Sequence, residues 1–293
     1  MTAQVLIDAF RLPAQAMVGQ RIPKKLLVEQ GAPTAADRRL INDTVDELWW
    51  RAALKPGTIN VPAYHAGSAP LASAIMTGSS PAAAGPWGAD VASAYATDVI
   101  ELALVSAQLR TTTREAQARR LMQLIHRAIP YPVLLVTQMP VGTVLSLAHK
   151  RPSLGEAAKW VVAGGADTHA FDPAQPTTAE AQFLASLALD HLPRSALADL
   201  HMLYQAVVDR VTALAVAQVT GEFKAPDAAA NASADRAAAQ RQALAERSQL
   251  LEQLASLRST AAKARQMSQR VELNLQVQHL QRQLQDIQAR LIG

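Results

Sequence analysis

Residues 128 to 163 constrain the fold of this chain more than any other stretch. Two apolar runs, at about 132 to 138 and 143 to 149, are joined by Met139-Pro140-Val141-Gly142, and a third run, 159 to 164, follows a polar crossing. Short apolar runs bounded by Pro and Gly are β-strand signals, and the spacing suits a hairpin with a four-residue loop. A chain with this block must build a sheet and cover it. DVIELALVSAQLR, 98 to 110, alternates as a further strand, and 114 to 128 forms an amphipathic helix ending before Pro130.

The order β-α-β-β-β implies an α+β fold, with a mixed or antiparallel sheet and helices on one face. Upstream, Val5, Ile7 and Phe10 alternate weakly, as a short strand or a helical turn. Thr34 is an N-cap, with Asp37 able to reach back, for a helix carrying Leu40, Ile41, Val45 and Leu48 on one face and running to about Ala53. TINVPAY, 58 to 64, reads as a short strand. Residues 65 to 97 are rich in Ala, Ser, Gly and Pro without amphipathic period, and read as a loop insertion containing Trp87.

From 177 the period becomes helical: one helix spans 178 to 190, and Ser195 caps a second that carries Leu200, Tyr204, Val211 and Leu214. Residues 221 to 235 are a linker by composition, so the organisation is a globular domain over 1–220 and an arm over 236–293. After Ser233 neither Gly nor Pro occurs until Gly293, and a continuous helix over that span would be roughly 90 Å long. Its apolar residues fall into two registers. Leu250, Leu254 and Leu257 define the first; Leu273, Val277, Leu280, Leu284, Ile287 and Leu291 define the second. The shift near Met267 to Val271 fits two coiled-coil segments on one long helix, or a helical hairpin turning near 259 to 268; the lack of a breaker favours the single helix.

Chemistry is harder to find than architecture. The chain has no cysteine, which removes disulfides, thiolate metal sites and cysteine nucleophiles. Seven histidines contain no HxH or HxxxH pair, and no phosphate-binding glycine loop is present. The E-x-K sequence of a divergent nuclease occurs at Glu222-Phe223-Lys224, but in the linker rather than on a strand, and Asp98 and Glu101 lack a following lysine. No metal or other cofactor is therefore expected. Apolar runs stay below the roughly 18 residues of a membrane span, and a cytoplasmic chain is expected.

Charge is informative by position. The net charge is +4, and residues 233 to 293 contain nine Lys/Arg against five Asp/Glu, so the tail holds the whole excess. Arg258, Lys263, Arg265 and Arg270 lie between Glu252 and Glu272 with no acid among them. They are candidates for nucleic-acid contact through phosphate charge, or form the solvated exterior of a coiled coil. At the sheet, Lys150, Arg151 and Lys159 beside Trp160 flank one loop, as an anion or partner contact or as loop solubilisation around a packed Trp.

Several blocks together resemble a bacterial family known as domain-of-unknown-function family 4391. They are residues 21 to 63, RAIPYPVLLV at 127 to 136, HKRPS…KWVV over 149 to 162, and AKARQMSQRVELNLQVQHL at 262 to 280. The insertion at 65–97 and the plain AGGADTHAFDP after Val162 depart from the family pattern. The resemblance implies an accessory component encoded beside helicases and DNA methyltransferases in phage-defence or restriction-like clusters, and it carries no catalytic residues. The expected function is a non-enzymatic interaction subunit docking a helicase, a methyltransferase or a second copy of itself through the arm. A nucleic-acid-binding accessory is the alternative, and a divergent nuclease the remote one.

Overall fold

The computed structural model describes residues 2–66, 98–152, 160–226, 230–263 and 266–292. Trp87 and nearly all of the 65–97 insertion lie outside these residues. Among these residues six strands form one sheet in sequence order: β1 (Met17–Arg21), β2 (Val45–Leu54), β3 (Leu102–Leu109), β4 (Val133–Met139), β5 (Gly142–Pro152) and β6 (Trp160–Asp167). Only β3 and β4 pair in parallel; the other neighbours are antiparallel. The helices ahead of the sheet's centre are α1 (Thr2–Ala9), α2 (Lys24–Gly31), α3 (Ala35–Thr44) and the short α4 (Pro56–Ile59). Helix α5 (Glu115–Ala128) is the crossover that parallel pairing demands. Beyond the sheet come α6 (Thr178–Ser186) and α7 (Leu200–Thr220), then α8 (Ala230–Lys263) and α9 (Met267–Ile292).

The mixed α+β character follows the expectation, but helices cover both faces of the sheet instead of one. Leu27, Ile41, Leu121, Leu124 and Ile125 from α2, α3 and α5 pack with Val105, Val133 and Leu135 on one side. Leu6 and Ile7 of α1, Phe10 just after it, Phe183 of α6 and Leu203, Val207 and Val211 of α7 pack with Leu104, Leu134, Leu145 and Leu147 on the other. The cause is legible in β3 and β4, whose consecutive residues Leu102–Val105 and Val133–Val136 are all buried. A strand without alternation has no face to give to water, so it needs cover on both.

Other local expectations shift for related reasons. Residues 2–9 are helical. The helix capped by Thr34 stops at Thr44, because Val45–Leu54 pairs with β3; Val45 and Leu48 pack from a strand where a helix had been expected. Sheet pairing overrides a local pattern that both states satisfy. The stretch 58 to 64 is not a strand: Pro56–Ile59 is a helical turn, and only Tyr64 forms a bridge, to Val99. Met139 pairs with Gly142, so the β4–β5 connection is two residues, tighter than four. Gly142 has φ 139°, and a Cβ there would meet the Phe171 backbone at 2.8 Å, so glycine is required at this corner. Helix α6 ends at Ser186, and α7 is capped by Asp199, whose side chain accepts from Met202 N at 2.8 Å, rather than by Ser195.

Three polar connections tie the helices to the sheet and to one another. Arg120 of α5 makes a two-pronged bond to Asp37 of α3, Nε to Oδ1 at 2.9 Å and Nη2 to Oδ2 at 3.0 Å. That bond is the main reason the Asp37 carboxyl sits below its ordinary pKa. Arg210 of α7 donates to the Ser186 carbonyl at the end of α6, at 2.9 Å. The buried Tyr204 hydroxyl of α7 receives Ala148 N at 2.7 Å and lies 3.2 Å from the Val133 carbonyl, joining α7 to β4 and β5 at once. Tyr204→Phe leaves the Ala148 N–H without its acceptor. It is expected to lower unfolding free energy by about 1–3 kcal/mol, read from urea denaturation.

Candidate interaction arm

The arm is built by two helices, α8 and α9, and not by one long rod. Helix α8 ends at Lys263 and α9 begins at Met267, with no Gly or Pro between them, within the 259 to 268 interval expected for a hairpin. The two registers are therefore the two facing sides of a hairpin. Leu254, Leu280, Ile287 and Leu291 are buried, and Leu250, Leu257, Leu273, Val277 and Leu284 are half-buried. Arg290 of α9 donates to Glu246 of α8 at 3.0 Å, which fixes the antiparallel register at the base. An apolar stripe that would have needed a second protein along a single helix is covered within the same chain.

The base of the hairpin is fastened to α7. Val216 of α7 clusters with Ala243, Ile287 and Leu291, with Val219, Leu244 and Leu250 packed around them. Beside this cluster the Arg241 guanidinium reaches Asp209 at 2.8 Å, and Gln205 donates to the same carboxylate oxygen at 2.8 Å. Burial raises the Asp209 carboxyl above its usual pKa, while Gln205 and Arg241 oppose that rise. A cleft of about 290 Å³ lies between α7 and the hairpin, with a floor of Ala213, Val216 and Ala243 and a rim that includes Lys224, Arg236 and Arg290.

Arg258, Lys263 and Arg270 are exposed near the turn, and none joins an ion pair among the described residues; Arg265 lies outside them. The sequence-expected cluster at the sheet fares differently. Lys150 is not at a rim but buried, and its Nζ donates to the Ile129 carbonyl at 2.7 Å and to the Tyr131 carbonyl. Its role is to close the chain leaving α5, and it is not offered to an outside anion. Arg151 and Trp160 sit on β5 and β6 opposite Val161 and Pro152, and Lys159 lies outside the described residues.

A polar group that the sequence did not disclose lies beneath Lys150. The buried His126 Nε2 is 2.9 Å from Ser146 Oγ, and Ser146 also bonds Asp167 on β6. Burial, with the Lys150 charge beside it, drives the His126 imidazole well below its ordinary pKa, so it is neutral. On the opposite face His149 falls to about 4 through burial, with His201 and Arg241 adding to the effect. No pair spacing announces these residues, because α5, β5 and β6 bring them together only in the fold.

Glu222 and Lys224 are exposed and 3.6 Å apart in an irregular segment, and Phe223 between them is buried with its ring 6.1 Å from Phe183. No strand positions that Glu and Lys. No cluster of three or more His, Asp or Glu suited to a metal ion occurs among the described residues, and no described helix is long and apolar enough to cross a membrane.

The family model described as "Domain of unknown function (DUF4391)" matches residues 10–70 and 94–284. The chain belongs to this family. The unmatched gap falls inside the 65–97 insertion, and the matched span includes nearly all of the hairpin. No curated protein and no solved structure matches the chain.

Burial pulls the Lys150 ammonium down to about 7 from 10.5. Between those values the unfolded chain holds a proton that the folded chain does not, so stability rises with pH across this window. Lys150→Met removes the titration. The stability of the unsubstituted protein relative to Lys150→Met is expected to increase from pH 7 towards pH 10, measured by denaturant unfolding across the range; a difference independent of pH would exclude the assignment.

Proposed function

We propose that this protein is a non-enzymatic accessory subunit of a helicase- or DNA-methyltransferase-containing bacterial defence complex, docking its partner through the helical hairpin. The observation that supports the reading is the outward side of α9. Val271 and Leu275 are one helical turn apart, 54% and 60% exposed, while the seam residues of the same helix are turned inward. A preformed helix presenting adjacent apolar side chains suits groove or helix-face docking, and its rigidity removes much of the ordering cost of association. Self-association is disfavoured by the internal covering of the seam, because the stripe that would have recruited a second copy is already used. The family's expected setting beside helicases and methyltransferases supplies the partner class.

Co-expressed with a helicase and with a DNA methyltransferase of such a cluster, the chain is expected to co-purify with one of them. Val271→Asp with Leu275→Asp should reduce capture at least tenfold while leaving the thermal unfolding midpoint unchanged, since both positions are solvent-facing. Capture insensitive to the double substitution, or no complex with either enzyme, would sink this reading.

A further inference from the structure

Folding the arm into a hairpin also changes what its charges can reach. Residues 247–282 contain six Lys/Arg and two Asp/Glu, a net +4, so the charge of the entire molecule resides on this segment and the rest balances. Because the seam faces inward, Arg258, Lys263, Arg270 and Arg282 are left exposed. Arg247, Arg258, Lys263, Arg270 and Arg282 form no ion pair among the described residues, whereas Arg241 and Arg290 at the base are paired with Asp209 and Glu246. Arg241 and Arg290 thus help hold the hairpin, while Arg258, Lys263 and Arg270 towards its far end are unpaired among the described residues. Only Glu252 and Glu272 oppose them.

We propose that the distal hairpin binds the phosphate backbone of duplex DNA without reading its sequence. The inference rests on the arm being the contact element of the protein, and adds that the arm bridges a protein partner and a duplex. Three features favour a duplex over other polyanions. The cations are distributed along both helices, which suits an extended phosphate lattice more than a single phosphate group; Arg247 and Arg258 lie on one flank of α8 by their spacing, roughly 16 Å apart along the helix. No Phe, Trp or Tyr occurs over 236–293, so the base stacking on which single-strand binders rely has no platform. The hairpin is folded in advance, so phosphate contact does not have to repay the ordering of a disordered basic tail.

Such binding depends on counterion release. If about four phosphates are neutralised, the logarithm of the affinity should fall with the logarithm of salt concentration at a slope of about −3 to −4. The test uses the full-length protein and a short random-sequence duplex, with fluorescence anisotropy between about 50 and 200 mM salt. Arg258→Glu, Lys263→Glu and Arg270→Glu together should weaken binding more than tenfold and bring the slope near −1. Glu252→Gln with Glu272→Gln should strengthen binding several-fold, a gain that misfolding cannot produce. Unchanged affinity in both variants overturns the proposal. So does preference for anionic phosphatidylserine vesicles over the duplex, which would make the tip a membrane contact. Partner capture without DNA, governed by Val271 and Leu275, is read separately, so either reading can fail while the other stands.

Discussion

The parallel pairing of β3 with β4 is the constraint on which the rest of the molecule depends. Parallel neighbours cannot be joined by a tight turn, so α5 must cross one face, and two strands whose consecutive residues Leu102–Val105 and Val133–Val136 are buried must be covered on the other face as well. The second cover comes from α1 and α7, which have opposite positions in the chain. Tyr204 then sets α7 against β4 and β5 by main-chain hydrogen bonds rather than by apolar contact alone. Fixing α7 in turn fixes the base of the hairpin, since Asp209 and Val216 are on the same helix. Sheet and arm are connected through one helix.

That arrangement separates two uses of positive charge. Inside, Lys150 is consumed by two carbonyls at the end of α5, and Arg120, Arg210 and Arg241 each satisfy a specific acceptor. These groups specify where helices end and meet. At the far end of the hairpin, Arg258, Lys263 and Arg270 are exposed and form no ion pair among the described residues.

Much of the architecture was legible in the residues. Strands β3 to β6, α5 and the Thr34 cap follow from apolar runs, Pro and Gly punctuation and side-chain capping chemistry. The errors are equally physical. Val45 and Leu48 satisfy a helical spacing after Leu40 and Ile41, yet they belong to β2, because pairing with β3 outweighs continuing the helix. The arm's missing breaker suggested one rod, but inward packing of two apolar registers, together with docking on α7, stabilises a turn that local propensity does not call for. For the candidate site, the positions of the arm cations were visible in the sequence. That Arg258, Lys263 and Arg270 form no ion pair among the described residues was not, because it depends on which side of each helix faces the other.

The sequence by itself determined the elements that depend on neighbours in the chain: apolar runs that must become strands, a cap that must start a helix, and a charge excess confined to the last sixty or so residues. Tertiary structure decided what depends on distance in space. It buried Lys150, assembled His126 with Ser146, covered the sheet on both faces and closed the arm on itself. The reason is common to all four. Burial and pairing are properties of opposed surfaces, and a linear pattern specifies one surface at a time while leaving its partner to be found by folding.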